Sequence, residues 1–126
     1  MPELKFLGHA CFLLSDGKTT ILFDPFLTDN PVRAATADQV DCQYILVSHG
    51  HADHLGDAVT IAKRTGATII ATAEVARVCA EQGAKTHAMH LGGKCLRGVF
   101  HQRHVVGVAD GFYFCDVAGE AVQMRN

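Results

Sequence analysis

The chain has 126 residues, 48% of them hydrophobic and 19% charged, the composition of one globular domain, which excludes a disordered or collagen-like chain. With 11 basic against 13 acidic residues the formal charge is −2, so the basic footprint that phosphate-backbone binding needs is missing and no nucleic-acid partner is expected. The apolar runs are too short to span a bilayer, and Met1-Pro2-Glu3-Leu4-Lys5 leads into no long apolar stretch, so a cytoplasmic protein without a membrane partner is expected.

Residues 4–7 and 11–14 read as two short strands around Gly8-His9. Ser15-Asp16-Gly17-Lys18 is a hairpin turn, and the β-branched, apolar residues 19–23 form a third strand that stops at Asp24-Pro25. Residues 28–41 are irregular, with a short helical turn near 34–39. Tyr44-Ile45-Leu46-Val47 is a continuous apolar run, the signature of a central strand buried on both faces. A loop, residues 48–56, follows. Asp57 is placed to cap a helix over 57–65 that ends at Gly66, and residues 67–71 form a strand. Thr72 is placed to cap a second helix over 73–82, closed by Gly83. Strand, helix, strand, helix predicts a parallel crossover layer after an antiparallel hairpin layer, hence an α/β (α+β) fold. In residues 94–126 only 104–108 and 112–117 look strand-like.

Two residue counts stand out. The five cysteines, Cys11, Cys42, Cys79, Cys95 and Cys115, are odd in number and widely spaced, so buried free thiols are expected rather than a disulfide framework or a thiolate zinc site. The eight histidines point to metal binding. They concentrate in Ser48-His49-Gly50-His51-Ala52-Asp53-His54, directly after the buried strand. In an extended turn His49 and His51 point the same way and can share one cation. As the chain tightens towards the next helix, Asp53 and His54 turn to a neighbouring position and offer a carboxylate and an imidazole to a second. The small residues Gly50 and Ala52 let these donors converge. His87 and His90 read as exposed loop residues after the second helix.

His49-Gly50-His51-Ala52-Asp53-His54 resembles the H-x-H-x-D-H signature of the metallo-β-lactamase superfamily. Leu7-Gly8-His9-Ala10-Cys11-Phe12-Leu13-Leu14, Ile21-Leu22-Phe23-Asp24-Pro25-Phe26-Leu27, Ile61–Ala67 and Leu91-Gly92-Gly93 are similar to a bacterial and archaeal group of metal-dependent hydrolases related to the ascorbate-6-phosphate lactonase branch. The resemblance covers about residues 3–93. It implies an αββα sandwich of which this chain carries the N-terminal half. It also implies His49 and His51 as ligands of a first metal and Asp53 and His54 as ligands of a second. Asp53 and His54 would be the catalytic residues, Asp53 beside a bridging hydroxide. Asp24 would sit next to the site and orient a ligand histidine, and His9 would lie near the same rim. The cofactor would be a divalent metal: zinc suits the donors best, with two ions in intact members and manganese or iron as alternatives. The implied activity is hydrolysis of a small-molecule ester, lactone or phosphoester by metal-activated water.

After Gly93 the Trp-His-Ser-like, Gly-Asp-Thr-like and final Met-His-like motifs of the second half are absent. The chain therefore reads as residues 1–93, the family half-domain, and residues 94–126, an unmatched tail produced by a frameshift or a truncated gene model. His101 or His104 is the tail's candidate for a third ligand. The alternative reading is a metal-binding half-domain without turnover, which needs a partner or a second copy to complete its site. A half-sandwich would also leave one sheet face bare, which favours a homo-oligomer.

Overall fold

The computed structural model describes residues 2–89 in full and, beyond them, the backbone of strands within residues 94–125. Two compact units emerge, Met1–Ala88 and Met89–Asn126. The first is built on a six-stranded sheet in sequential order: β1 (Glu3–Gly8), β2 (Cys11–Ser15), β3 (Thr20–Phe23), β4 (Tyr44–Leu46), β5 (Thr68–Thr72) and β6 (Lys85–Met89). β1, β2 and β3 pair antiparallel, and β3, β4 and β5 pair parallel. The expected hairpin and crossover layers are thus two halves of one sheet, joined at β3.

Local chemistry explains the turns. Between β2 and β3, Asp16 Oδ1 accepts the backbone N–H groups of Lys18 (2.9 Å) and Thr19 (2.7 Å), while Gly17 takes φ +87°. The parallel connections carry the helices. After β4 come a one-turn helix, α1 (Ala52–Leu55), inside the segment expected to be loop, and then α2 (Ala58–Thr65). Gly66 closes α2 in the left-handed region at φ +75°. After β5 comes α3 (Ala73–Glu81). Thr72 stands at its N-cap without a side-chain capping bond. The irregular segment before β4 contains a single 3₁₀ turn, Ala37–Gln39, in the place expected for a helical turn.

The core lies on the helical face of the sheet. Leu22, Ile45, Val47, Ile69 and Ala71 from the strands pack with Ala58, Ile61 and Ala62 of α2 and Ala76 and Cys79 of α3. Each Leu, Ile or Val side chain among them, fully removed from water, contributes about 1.5–3 kcal/mol. On the opposite face Leu14, Ile21, Phe23, Leu46 and Ile70 are buried, and among the described residues Leu4 and Phe6 on strand β1 are the large apolar side chains exposed there. The second unit is a four-stranded antiparallel sheet in the order β10 (Glu120–Arg125), β9 (Phe112–Val117), β8 (His104–Ala109), β7 (Lys94–Arg97). It contains both strand-like stretches seen in the sequence and two strands that were not foreseen.

Cys11, Cys42 and Cys79 are buried free thiols. Burial, reinforced by Asp24 and Asp57, pushes the Cys11 thiol up to about 12, and burial pushes Cys42 to about 12, so both are inert as thiolates. Cys95 and Cys115 lie outside the residues whose side chains are described. Among the described residues no helix is long and apolar enough to cross a membrane.

Candidate metal centre

The parallel pairing of β3 with β4 brings two chain segments together at the strand ends. Asp24 follows β3 in a left-handed conformation (φ +38°), and its N–H donates to Leu46 O at 2.9 Å. Ser48 leaves β4 beside it. The Asp24 carboxylate is 1% exposed and accepts three hydrogen bonds: Ser48 N–H (2.7 Å), Ser48 Oγ–H (2.7 Å) and His54 Nδ1–H (2.9 Å). A buried carboxylate that accepts from this many donors fixes what it touches.

The serine then sets the state of the next side chain. Its one proton goes to Asp24, so at 2.8 Å from His49 Nδ1 its oxygen accepts, and His49 carries its proton on Nδ1. The lone pair on His49 Nε2 is left facing His51 Nδ1 at 3.0 Å. Burial, and then the neighbouring His54 and His51, pull the His49 imidazole below its usual range, against the opposing pull of Asp24 and Asp53. Converging imidazole nitrogens are what a borderline divalent cation accepts.

The one-turn helix α1 places the remaining donors. His51 is its N-cap residue, Asp53 lies in the first turn, and the N–H of His54 donates to His51 O at 3.1 Å. The His54 ring stands 4.1 Å, centroid to centroid, from that of His49, so His49, His51 and His54 form one imidazole cluster backed by Asp24. His54 has Nδ1 committed to Asp24, which leaves Nε2 to bind. Asp53 is half exposed and faces His9: Asp53 Oδ2 lies 3.5 Å from His9 Nε2. Donor atoms of His9, Asp53 and His54 all fall within 4.8 Å of one another. All six residues singled out in the sequence therefore gather around one strand-end loop, five of them in two overlapping groups, His49–His51–His54 and His9–Asp53–His54, with Asp24 behind His54.

Two contributors were not foreseen. Ser48 links Asp24 to His49, a role that one serine after a strand does not advertise in sequence. Asp57 stands at the N-cap of α2 but makes no capping bond; Asp57 Oδ2 instead accepts the N–H groups of Leu27 (3.0 Å) and Thr28 (2.8 Å). It clamps the loop after Asp24 to the loop after His54. His87 lies on β6, half buried, and not in an exposed loop. His90 and His101, and the side chain of His104, are outside the described residues.

A mixed sheet whose central parallel strand ends in a loop of imidazole and carboxylate donors, held from behind by a buried aspartate, is the architecture of an α/β metalloprotein. Residues 4–121 match the metallo-beta-lactamase superfamily, and the chain belongs to that superfamily. It is 58% identical over 94 residues to a UPF0173 metal-dependent hydrolase of Heliobacterium modesticaldum, covering 75% of this chain and 40% of that protein. It is 50% identical over 98 residues to one from Carboxydothermus hydrogenoformans, covering 78% of this chain and 43% of that protein. The chain thus spans about two fifths of the length of the curated relatives it matches. Among solved structures, Igni18, a metallo hydrolase from the archaeon Ignicoccus hospitalis, shares the fold at TM-score 0.85 and 21% identity, over 96% of this chain and 58% of that one.

Proposed function

We propose that the chain supplies the metal-binding half of a metal-dependent hydrolase acting on a small-molecule ester, lactone or phosphoester. The observation that carries this reading is the convergence of His49 Nε2 and His51 Nδ1, 3.0 Å apart, with the His49 tautomer set through Ser48 and Asp24. The donors fit a divalent cation. His49 and His51 would hold one, and Asp53 and His54 a second, zinc before manganese or iron. A cation bound there would acidify a coordinated water and polarise the oxygen that gains charge during attack.

The protein's own residues do the rest. Asp24 keeps the His54 proton on Nδ1 and so presents Nε2 to the site. Ser48 does the same for His49. Asp53, half exposed at the rim, would take the proton that an attacking water gives up. A catalytic zinc takes three protein ligands, and His49 with His51 makes two. The reading therefore includes a further donor to that position from a second copy of the chain.

The test is turnover of generic ester, lactone and phosphodiester substrates by zinc-supplied protein. Metal-dependent hydrolysis is expected, lost on chelation and reduced at least about 100-fold in His51→Ala. Hydrolysis that survives both treatments contradicts the reading. With zinc bound and no turnover, the half-domain alternative is what stands, and an elution volume that shifts from monomer to dimer on zinc addition would show the second copy completing the site.

A further inference from the structure

The corner between β1 and β2 takes two successive residues of positive φ. Gly8 takes φ +107° at a register shift in the hairpin, where an added Cβ would meet Val32 O at 2.8 Å. The next residue, His9, also has positive φ, +59°, in a region where, glycine aside, Asn, Asp and His are the residues most often found. Two successive left-handed residues turn the His9 side chain out of the hairpin and towards the histidine loop. The edge of the Phe26 ring packs on it with centroids 5.7 Å apart, and the His54 ring lies 5.1 Å away on an edge-to-face course.

An ion pair with Asp53 does not account for this arrangement. The two side chains are 39% and 52% exposed, and a pair that open to solvent contributes at most about 1 kcal/mol, no more than the strain at His9 consumes. Donor geometry accounts for it better. Ligand atoms about 2.1 Å from a tetrahedral cation stand roughly 3.4 Å apart. His9 Nε2 and Asp53 Oδ2 are 3.5 Å apart, close to one edge of that tetrahedron. His54 offers its Nε2 from the third direction, because Asp24 occupies its Nδ1. The three donors lie within 4.8 Å of one another, a spread that side-chain rotations of about an ångström bring to coordination distance.

We propose that His9 is the third protein ligand of the cation held by Asp53 and His54, rather than a bystander at the rim. This inference rests on the reading that Asp53 and His54 bind a metal. It closes one three-donor site entirely within residues 9–54, with no donor needed from the tail.

The experiment is a zinc titration of the chelator-stripped full chain by competition calorimetry, comparing wild type with His9→Ala and His9→Gln, each checked for fold by circular dichroism without metal. Wild type is expected to bind two equivalents. Both variants are expected to lose at least tenfold in affinity for one equivalent and to keep the other, held by His49 and His51. Isotherms identical to wild type overturn the proposal and leave the hydrolase reading standing. A wild type that binds no zinc overturns both. Should the variants fail to fold, histidine side-chain ¹H–¹⁵N spectra of wild type decide: zinc is expected to shift the His9 Nε2 resonance, and a His9 ring unmoved at saturation overturns the assignment.

Discussion

Asp24→Ala is expected to lower stability by about 3–5 kcal/mol and to abolish tight metal binding. Asp24 is 1% exposed, and its carboxylate is the shared acceptor for Ser48 N–H, Ser48 Oγ–H and His54 Nδ1–H. Removing one side of such a buried, charge-assisted network leaves its donors without partners in a place water does not reach, which carries a penalty of about 3–5 kcal/mol. The backbone adds to this: Asp24 sits at φ +38°, which aspartate tolerates better than alanine. Against a total stability of about 5–15 kcal/mol, the loss is large enough to read directly in a denaturant midpoint. Asp24→Asn separates the two effects. It keeps the shape and tolerates the backbone, but its amide nitrogen must face at least one donor, so a smaller loss of about 1–3 kcal/mol is expected. With His54 and Ser48 no longer held in one protonation pattern, zinc affinity is expected to fall by about 10–100-fold. A Tm unchanged in the alanine variant, or zinc affinity unchanged in the asparagine variant, would contradict this role for Asp24.

Gly56→Ala is expected to be nearly as damaging, although glycine carries no chemistry. Gly56 has φ +42°, and an added Cβ would lie 2.4 Å from Pro25 O and 2.7 Å from Phe26 Cα. Both neighbours are backbone, and neither can yield locally, because Asp57 N–H donates to that same Pro25 O at 2.9 Å while Asp57 Oδ2 holds the N–H groups of Leu27 and Thr28. The loop after His54 and the loop after Asp24 are therefore pressed together at this glycine, and separating them pulls Asp24 away from His54. A left-handed alanine costs about 1–2 kcal/mol before any clash is counted. The whole change is expected to reach about 2–4 kcal/mol, lowering Tm by roughly 10 °C and weakening zinc binding in the protein that remains folded. A melting temperature within a degree of wild type would show that the two loops are not coupled.

These two sites also mark how far the sequence could be read. The central strands were legible because Thr20–Phe23, Tyr44–Leu46 and Thr68–Thr72 are buried runs whose apolar character persists on both faces. The donor loop was legible because its residue types are rare together and its spacing is short. What escaped depends on partners distant in the chain. Asp57 carries every local mark of a helix cap, yet its acceptors are used by Leu27 and Thr28, about thirty residues earlier. Ser48 becomes informative only once Asp24 is seen beside it, 24 residues away in sequence. α1 is one turn long, too short for helical periodicity to show. β6, Lys85-Thr86-His87-Ala88-Met89, has a single fully buried side chain and so no hydrophobic alternation to betray it. For His9 the resemblance gave the neighbourhood, but only the folded hairpin corner shows its ring reaching Asp53.

The most direct test of the account is the number of metal ions retained by the full chain. Protein stripped with chelator, supplied with excess zinc and dialysed would be measured by elemental mass spectrometry beside the double variant His49→Ala/His51→Ala. Retention of at least one zinc per chain, with at least one fewer in the double variant, is the expected result. A wild-type chain that retains no zinc, and none when manganese or iron is supplied instead, would contradict the account, as would equal retention in the double variant.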